Sequence, residues 1–250
     1  MGVMPGRFVS TTDPEELVAM LDVDKTAADL PPASWNVAPG DRVTVIIDAV
    51  NKDASTDGYD PENPAVLRRL ESASWGLVPG GAPDASVGAT LFDAPVEQAL
   101  ENPAFSAAVA SRRAAIPATG YYVWHTGADG SSSAQFVHSA DGEPLLLAAL
   151  YEWWKNPAAA QGDPARWLLS TTILTRASGG PLALIHERMP VILEPGLLED
   201  WLDPTTPGSP ELLGAVSDAA LDLAEEVEFY EVSKDVASVK NNSEALLQPV

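Results

Sequence analysis

Met4-Pro5-Gly6-Arg7-Phe8-Val9 stands close to the start of the chain, and Ile185-His186-Glu187-Arg188-Met189-Pro190 stands in its last third. Each stretch sets charged or titratable side chains directly beside apolar residues. The two stretches are the reference points against which the other segments of this sequence are placed, and they contain three candidate site residues, Pro5, Arg7 and His186.

Length and composition predict one domain that spans residues 1–250. The chain has 250 residues, of which 46% are apolar, so it can bury a sizeable core. We find no internal repeat and no linker that would divide it. The longest apolar runs are far shorter than the roughly 18–20 residues that span a bilayer. No export signal is visible at the N-terminus, so we expect a cytoplasmic protein that does not enter a membrane.

The charge and the cysteine count exclude several kinds of function. The formal net charge is −22, from 36 acidic against 14 basic residues, and this is the wrong sign for tight binding to phosphates. The simplest interpretation of this negative charge is that it keeps the protein soluble or reflects adaptation to a salt-rich cytoplasm. The chain has no cysteine, which excludes disulfides, zinc–thiolate sites and cysteine catalysis. Neither a metal-ligand spacing nor a phosphate-binding glycine loop is present, so we expect no metal and no cofactor.

Local patterns predict helices and strands in alternation. Asp13 before Pro14 is a suitable N-cap for a helix, and the β-branched run 43–47 indicates a buried strand. Further helices are predicted at 95–100, 105–113, 195–202 and 209–224, and further strands at 120–124, 134–138, 145–154, 167–175, 228–232 and within 235–249. This mixture favours an α+β fold with a curved, barrel-like, mostly antiparallel sheet and peripheral helices.

Several short motifs, taken in order, resemble one known family. They are Met4-Pro5-Gly6-Arg7-Phe8, Trp35-Asn36-Val37-Ala38-Pro39, Ser74-Trp75-Gly76-Leu77-Val78-Pro79, the segments 91–97, 120–124 and 171–175, and His186-Glu187-Arg188-Met189-Pro190. Their order and spacing are similar to those of the SRAP proteins (SOS-response-associated peptidase-like). That family senses abasic sites in single-stranded DNA, so the resemblance implies a DNA-damage-response protein whose partner is single-stranded or abasic DNA.

The resemblance also implies a site whose chemistry has been altered. In the family an N-terminal Cys attacks the sugar aldehyde through its amine, and its thiol then closes a stable thiazolidine ring. The matching positions here hold Pro5 for the Cys, Asp93 for an Asn, Pro95 for an Arg and Val123 for a Glu. His186 is retained as a candidate catalytic residue. The covalent step is therefore expected to be lost.

Three residues are predicted to contact DNA by the same resemblance: Arg7, Asn36 and Trp75. Two other functions stay open. The fold can serve as a pseudoenzyme that binds another protein, in keeping with the acidic surface. Alternatively, if translation starts at Met4 rather than Met1, removal of that Met exposes Pro5 as a secondary amine that can form an iminium with an aldehyde. His125, His138, Trp153, Trp154 and Trp167 are interpreted as surface, core or core-rim residues.

Overall fold

The computed structural model describes residues 6–51 and 65–250. These residues form thirteen strands, which are β1 (Phe8–Ser10), β2 (Lys25–Thr26), β3 (Ser34–Val37), β4 (Arg42–Val50), β5 (Val66–Trp75), β6 (Asp93–Pro95), β7 (Arg113–Ala118), β8 (Gly120–Thr126), β9 (Ser132–Ser139), β10 (Leu145–Lys155), β11 (Trp167–Ala177), β12 (Arg188–Pro190) and β13 (Val227–Val232). They also form four α-helices, which are α1 (Pro14–Leu21), α2 (Ser106–Ser111), α3 (Leu198–Leu202) and α4 (Pro210–Leu223). The α+β class is confirmed.

Five strands close into a barrel in the order β5-β4-β7-β10-β11. Neighbours pair antiparallel around the ring, except that β11 closes it by pairing parallel to β5, with Ser170 opposite Ser74 and Thr171 opposite Trp75. Strands β6 and β12 lie on either side of the distal half of β11. Closure leaves few free strand edges and encloses a continuous apolar core.

A second sheet, in the order β13-β9-β8-β1-β3, packs beside the barrel. Its strands alternate between two apolar clusters, because successive side chains of a strand point to opposite faces. Phe8 and Tyr121 belong to the main core, whereas Val9 and Tyr122 belong to a smaller cluster that covers the outer face. The C-terminal residues Val236 and Leu246 complete this smaller cluster.

Two glycines, Gly76 and Gly88, are in close contact at the junction between β5 and β6. Gly76 has φ +138°, and a Cβ on it would lie 2.4 Å from the carbonyl oxygen of Gly88. The chain leaves β5 at Gly76, whose N–H donates to Thr171, and it returns at Phe92, whose carbonyl accepts from Ile173. Residues 77–91 thus form an excursion, and β6 continues along β11 where β5 stopped.

The helices follow their sequence signals where caps are present. Asp13 accepts from the Glu15 N–H at the start of α1, and Ser209 accepts from the Leu212 N–H at the start of α4.

Two sequence predictions were wrong. Residues 95–100 are not a helix, because Pro95 is drawn into β6. The tail predicted as strands forms short 3₁₀ helices at Lys234–Ala237 and Glu244–Leu247.

Candidate functional site

Strand β1 brings the first described residues beside β8. The Tyr122 N–H donates to the Arg7 carbonyl at 3.1 Å, and Phe8 stands opposite Tyr121. Gly6 lies close to Pro39 and Phe92, because a Cβ on it would be 3.3 Å from Pro39 Cγ and 3.8 Å from Phe92 Cε2. Pro5, the residue that replaces the family's Cys, lies outside the described residues.

Three of the motif segments meet around Gly6. The Trp75 carbonyl accepts from the Gly40 N–H at 2.7 Å, and the Trp75 N–H donates to the Asp41 carbonyl at 2.9 Å. The Trp75 indole N–H donates to the Phe92 carbonyl at 2.8 Å. The loop after Asn36, the start of the 77–91 excursion and the entry to β6 are therefore held in one place.

Trp75 is a core residue in this arrangement. Only 1% of its surface is exposed, and its ring packs edge-on against Phe8 and Phe92 at centroid distances of 5.0 and 6.0 Å. A base can stack on an aromatic side chain only where a ring face is exposed. For Trp75 to make the predicted DNA contact, it would have to leave these partners.

Asn36 is an anchor for the C-terminal segment. Its side-chain N–H₂ donates to the carbonyls of Val236, Ser238 and Asn241 at 3.1, 3.0 and 2.9 Å, and only 4% of the residue is exposed. Its Oδ1 is buried without a hydrogen-bond partner. In this conformation the side-chain N–H₂ of Asn36 is not available for the predicted DNA contact, because it already donates to the C-terminal segment.

Arg7 keeps its side chain at the surface of the site. Its Nη2 donates to the Ala237 carbonyl at 3.2 Å, whereas its Nε is buried without a partner. Partial burial lowers the pKa of Arg7, and the negative charge of Asp41 opposes this shift. Arg7 stays cationic and adjoins the segment that carries Lys234 and Lys240, both exposed.

The altered positions Asp93 and Pro95 lie on β6. Asp93 is opposite Ile173 and Pro95 is opposite Thr175, whose other neighbour across β11 is Pro190. Both altered residues are partly exposed. Strand β6 and the segment that follows His186 therefore flank the same part of β11.

A bidentate ion pair that the sequence reasoning did not single out spans this edge. Arg188 donates to Glu97 from Nη1 at 2.8 Å and from Nη2 at 3.1 Å, and its Nη2 also donates to Thr175 Oγ1 at 2.9 Å. Burial opposes ionisation of Glu97, but the hydrogen bonds and charge of Arg188, together with main-chain hydrogen bonds of Glu97 and Ala177, outweigh it and hold the pKa of Glu97 below its ordinary value. Glu97 and Arg188 belong to two of the motifs that match the family, and their retention in both motifs could have indicated this pair.

His186 lies just before β12 with one ring nitrogen engaged. Its Nδ1 is 2.8 Å from the Arg188 carbonyl oxygen and 3.1 Å from the Arg188 amide nitrogen, so it donates or accepts there according to its tautomer. In both cases Nε2 is the nitrogen left to exchange a proton. His125, interpreted as a surface residue, in fact places Nδ1 3.3 Å from the Ile185 carbonyl oxygen. His125 thus contacts the residue that precedes His186.

Val123, on β8, belongs to the main core and is only 2% exposed. Its neighbour Tyr121 is buried too, with no partner for its hydroxyl, and burial raises the pKa of that hydroxyl. Below the site lies a cavity of about 10 Å³, enough for a single water, lined among others by Arg7, Tyr121 and Pro190. A valine here cannot transfer protons, and the cavity has no room for a sugar.

No group of three or more His, Asp or Glu side chains in residues 6–51 and 65–250 converges as a metal site would require. No helix in the same ranges is long and apolar enough to cross a membrane.

The chain is similar to proteins from several organisms. A profile of the SOS response associated peptidase (SRAP) family matches residues 4–239. The chain is 32% identical over 248 residues to the abasic site processing protein YoaM of Bacillus subtilis, covering 98% of this chain and 97% of that protein. It is 28% identical over 251 residues to the abasic site processing protein YedK of Escherichia coli, covering 99% of this chain and 100% of that protein.

Solved structures show the same fold. A crystal structure of a protein from Bacteroides thetaiotaomicron matches with a TM-score of 0.75 at 17% identity, covering 98% of this chain and 99% of that chain. One from Bordetella bronchiseptica matches with a TM-score of 0.67 at 22% identity, covering 91% of this chain and 99% of that chain. From the length of the profile match and from the relative more than 30% identical, the chain belongs to the SOS response associated peptidase (SRAP) family.

Proposed function

We propose that this chain recognises abasic sites in single-stranded DNA, in the cytoplasm, without forming the covalent crosslink. The observation that carries the proposal is the absence of cysteine from a chain that otherwise follows the family over residues 4–239. A thiazolidine needs a thiol to close its ring. The relatives are named abasic site processing proteins, which supports the choice of ligand.

The other altered positions support loss of the chemistry rather than replacement of one group by another. Val123 is buried in the core and cannot act as a general acid or base. Asp93 introduces a negative charge on β6, where it would repel a phosphate. Pro95 removes a cation from the same strand. Of that group, only His186 keeps the side chain that the resemblance implies for its position.

Non-covalent recognition would rest on a small group of cations at the other side of the site. Arg7 adjoins the 3₁₀ helix Lys234–Ala237 through its hydrogen bond to Ala237, and Lys240 follows that helix closely. With a net charge of −22, the protein as a whole repels DNA. Binding should therefore be weak and strongly weakened by salt, because its affinity comes from a few phosphate contacts.

Salt-dependent binding tests the proposal. Affinity is measured for a single-stranded oligonucleotide with one abasic site and for the intact oligonucleotide, at several salt concentrations. We expect a preference for the abasic strand, and Arg7→Gln should reduce the magnitude of the salt slope by about one. Arg166→Gln, which removes a cation from the β10–β11 hairpin, is the matched control. Equal weak binding to both strands without a salt slope would favour the protein-interaction alternative.

A second candidate activity follows from Pro5 itself, which matches the family's N-terminal Cys in the sequence. If Met4 is the first residue and is removed, the Pro5 secondary amine can condense with the ring-opened aldehyde to an iminium, releasing water. Borohydride would reduce that iminium to a stable amine. Trapping is done with the Met4-start protein and abasic single-stranded DNA, with Pro5→Gly, whose primary amine also condenses, as the positive comparison and an N-acetylated protein as the control. Absence of a trapped band ends this candidate and leaves non-covalent recognition intact.

A further inference from the structure

A groove on the side of the barrel has an apolar floor. Its volume is about 480 Å³, within the range of binding clefts. It lies between the end of α1, the turn that joins β9 to β10, the start of α3 and the end of α4. The floor is formed by the side chains of Leu21, Leu145, Leu146, Ile192, Leu193 and Leu198.

Two apolar side chains on the walls are accessible from solvent. Met20 is 39% exposed, and Leu223 at the end of α4 is partly exposed. Methionine is an adaptable contact residue because its unbranched side chain fits partners of different shapes. An apolar floor with accessible apolar walls is suited to the apolar face of an amphipathic helix.

The rim of the groove is acidic. Five exposed carboxylates line it, and they are Asp22, Asp141, Glu143, Glu199 and Glu226. Among the described residues that line the groove, Arg68 is the only Lys or Arg. It donates to Asp48 at 2.9 and 2.8 Å and pairs with Glu199 at 2.8 Å. Arg68 thus offsets Glu199, and within residues 6–51 and 65–250 no unpaired Lys or Arg of the lining offsets the other four carboxylates.

The acidic rim indicates which kind of partner the groove can bind. An acidic rim repels nucleic acid, anionic lipid and acidic peptides, and it attracts a cationic partner. We propose that this groove binds a lysine- or arginine-rich amphipathic helix of a partner protein, with apolar residues spaced i, i+3, i+4 and i+7 on the floor and basic residues against the rim carboxylates. The groove is separate from Arg7 and His186, so the proposal does not depend on DNA recognition.

The probe is a synthetic helix of leucine and lysine with that spacing, titrated into the ¹⁵N-labelled full chain. Two comparison peptides are used: one with glutamate in place of lysine, and one with the same leucine and lysine content in scrambled order. We expect amide shifts at the groove with the first peptide, and at least tenfold weaker binding of the other two. Equal binding of the scrambled peptide would overturn the proposal, because attraction would then need no apolar groove.

Charge reversals separate local from overall attraction. Glu143→Lys with Glu226→Lys should weaken binding of the first peptide at least tenfold. Asp163→Lys with Glu244→Lys, which changes the net charge equally at exposed positions outside the groove lining, should weaken it less than threefold. Met20→Gln should weaken binding without changing the charge. Equal losses in both double variants would overturn the proposal. Unfolding temperatures confirm that each variant folds.

Discussion

The side-chain amide of Asn36 donates to the main-chain carbonyl of Val236 at 3.1 Å, across 200 positions of sequence. The same amide reaches Ser238 and Asn241, so one side chain fastens the C-terminal segment to β3. Arg7 adds a further bond to Ala237. Asn36, which the motif predicts to contact DNA, thus anchors the C-terminal segment that borders the site.

Asn36→Ala should loosen residues 234–241. Three buried or partly buried carbonyls lose their donor, so the free energy of unfolding should fall by about 2 kcal/mol or more. Denaturant unfolding measures that fall, and amide hydrogen exchange should speed up in this segment first. Asn156→Ala, at an exposed turn, is the control and should cost far less. Unchanged exchange at residues 234–241 would contradict the anchoring role.

Arg113 should be the most sensitive arginine to replacement. It is 2% exposed, and its guanidinium donates to the carbonyls of Val109, Ala110, Trp201, Asp203 and Thr206. Arg113→Met leaves these acceptors unsatisfied and should cost roughly 3 kcal/mol or more. Arg166→Met, which removes the hydrogen bond from Nη1 to the Ala159 carbonyl at 3.2 Å, should cost about 1 kcal/mol at most. Chemical denaturation of both variants decides the comparison.

The Glu97–Arg188 pair should be sensitive to acid. The folded pKa of Glu97 lies below its ordinary value of 4.5, so the pair contributes stability above that value and loses it as the pH falls through the lower folded pKa. Arg188→Gln should raise the pKa of Glu97, because burial is then opposed by fewer interactions. Carboxyl chemical shifts followed by NMR measure this pKa. Arg166→Gln should leave it unchanged, and an unmoved pKa in Arg188→Gln would contradict the pairing.

Val123→Glu should destabilise the protein rather than restore an acid to the site. The position is 2% exposed in the main core, so an ionised carboxylate there is desolvated and its pKa should be raised. We expect a loss of roughly 3 kcal/mol near neutral pH. Val123→Thr, nearly isosteric and uncharged, is the control. A tolerated glutamate with an ordinary pKa would show that this side chain reaches the open site.

Local sequence was sufficient wherever neighbours along the chain set the structure. Asp13 and Ser209 act as the caps that their residue types predict. Gly76 occupies a backbone conformation that only glycine adopts readily. The order of short motifs predicted the family, and the absence of cysteine alone excludes the thiazolidine. These features need no partner that is distant in sequence.

Only the tertiary structure decided how the motif residues are used. Trp75 and Asn36 carry N–H groups typical of ligand contacts, yet these donate to Phe92 and to the tail. The 3₁₀ turns of the tail are closed by local main-chain hydrogen bonds, but residues about 200 positions away hold residues 236–241 against β3. Closure of the barrel between β5 and β11 likewise joins strands about a hundred residues apart. Such pairings depend on which surfaces meet when the core is buried, and periodicity within a short window carries no information about that.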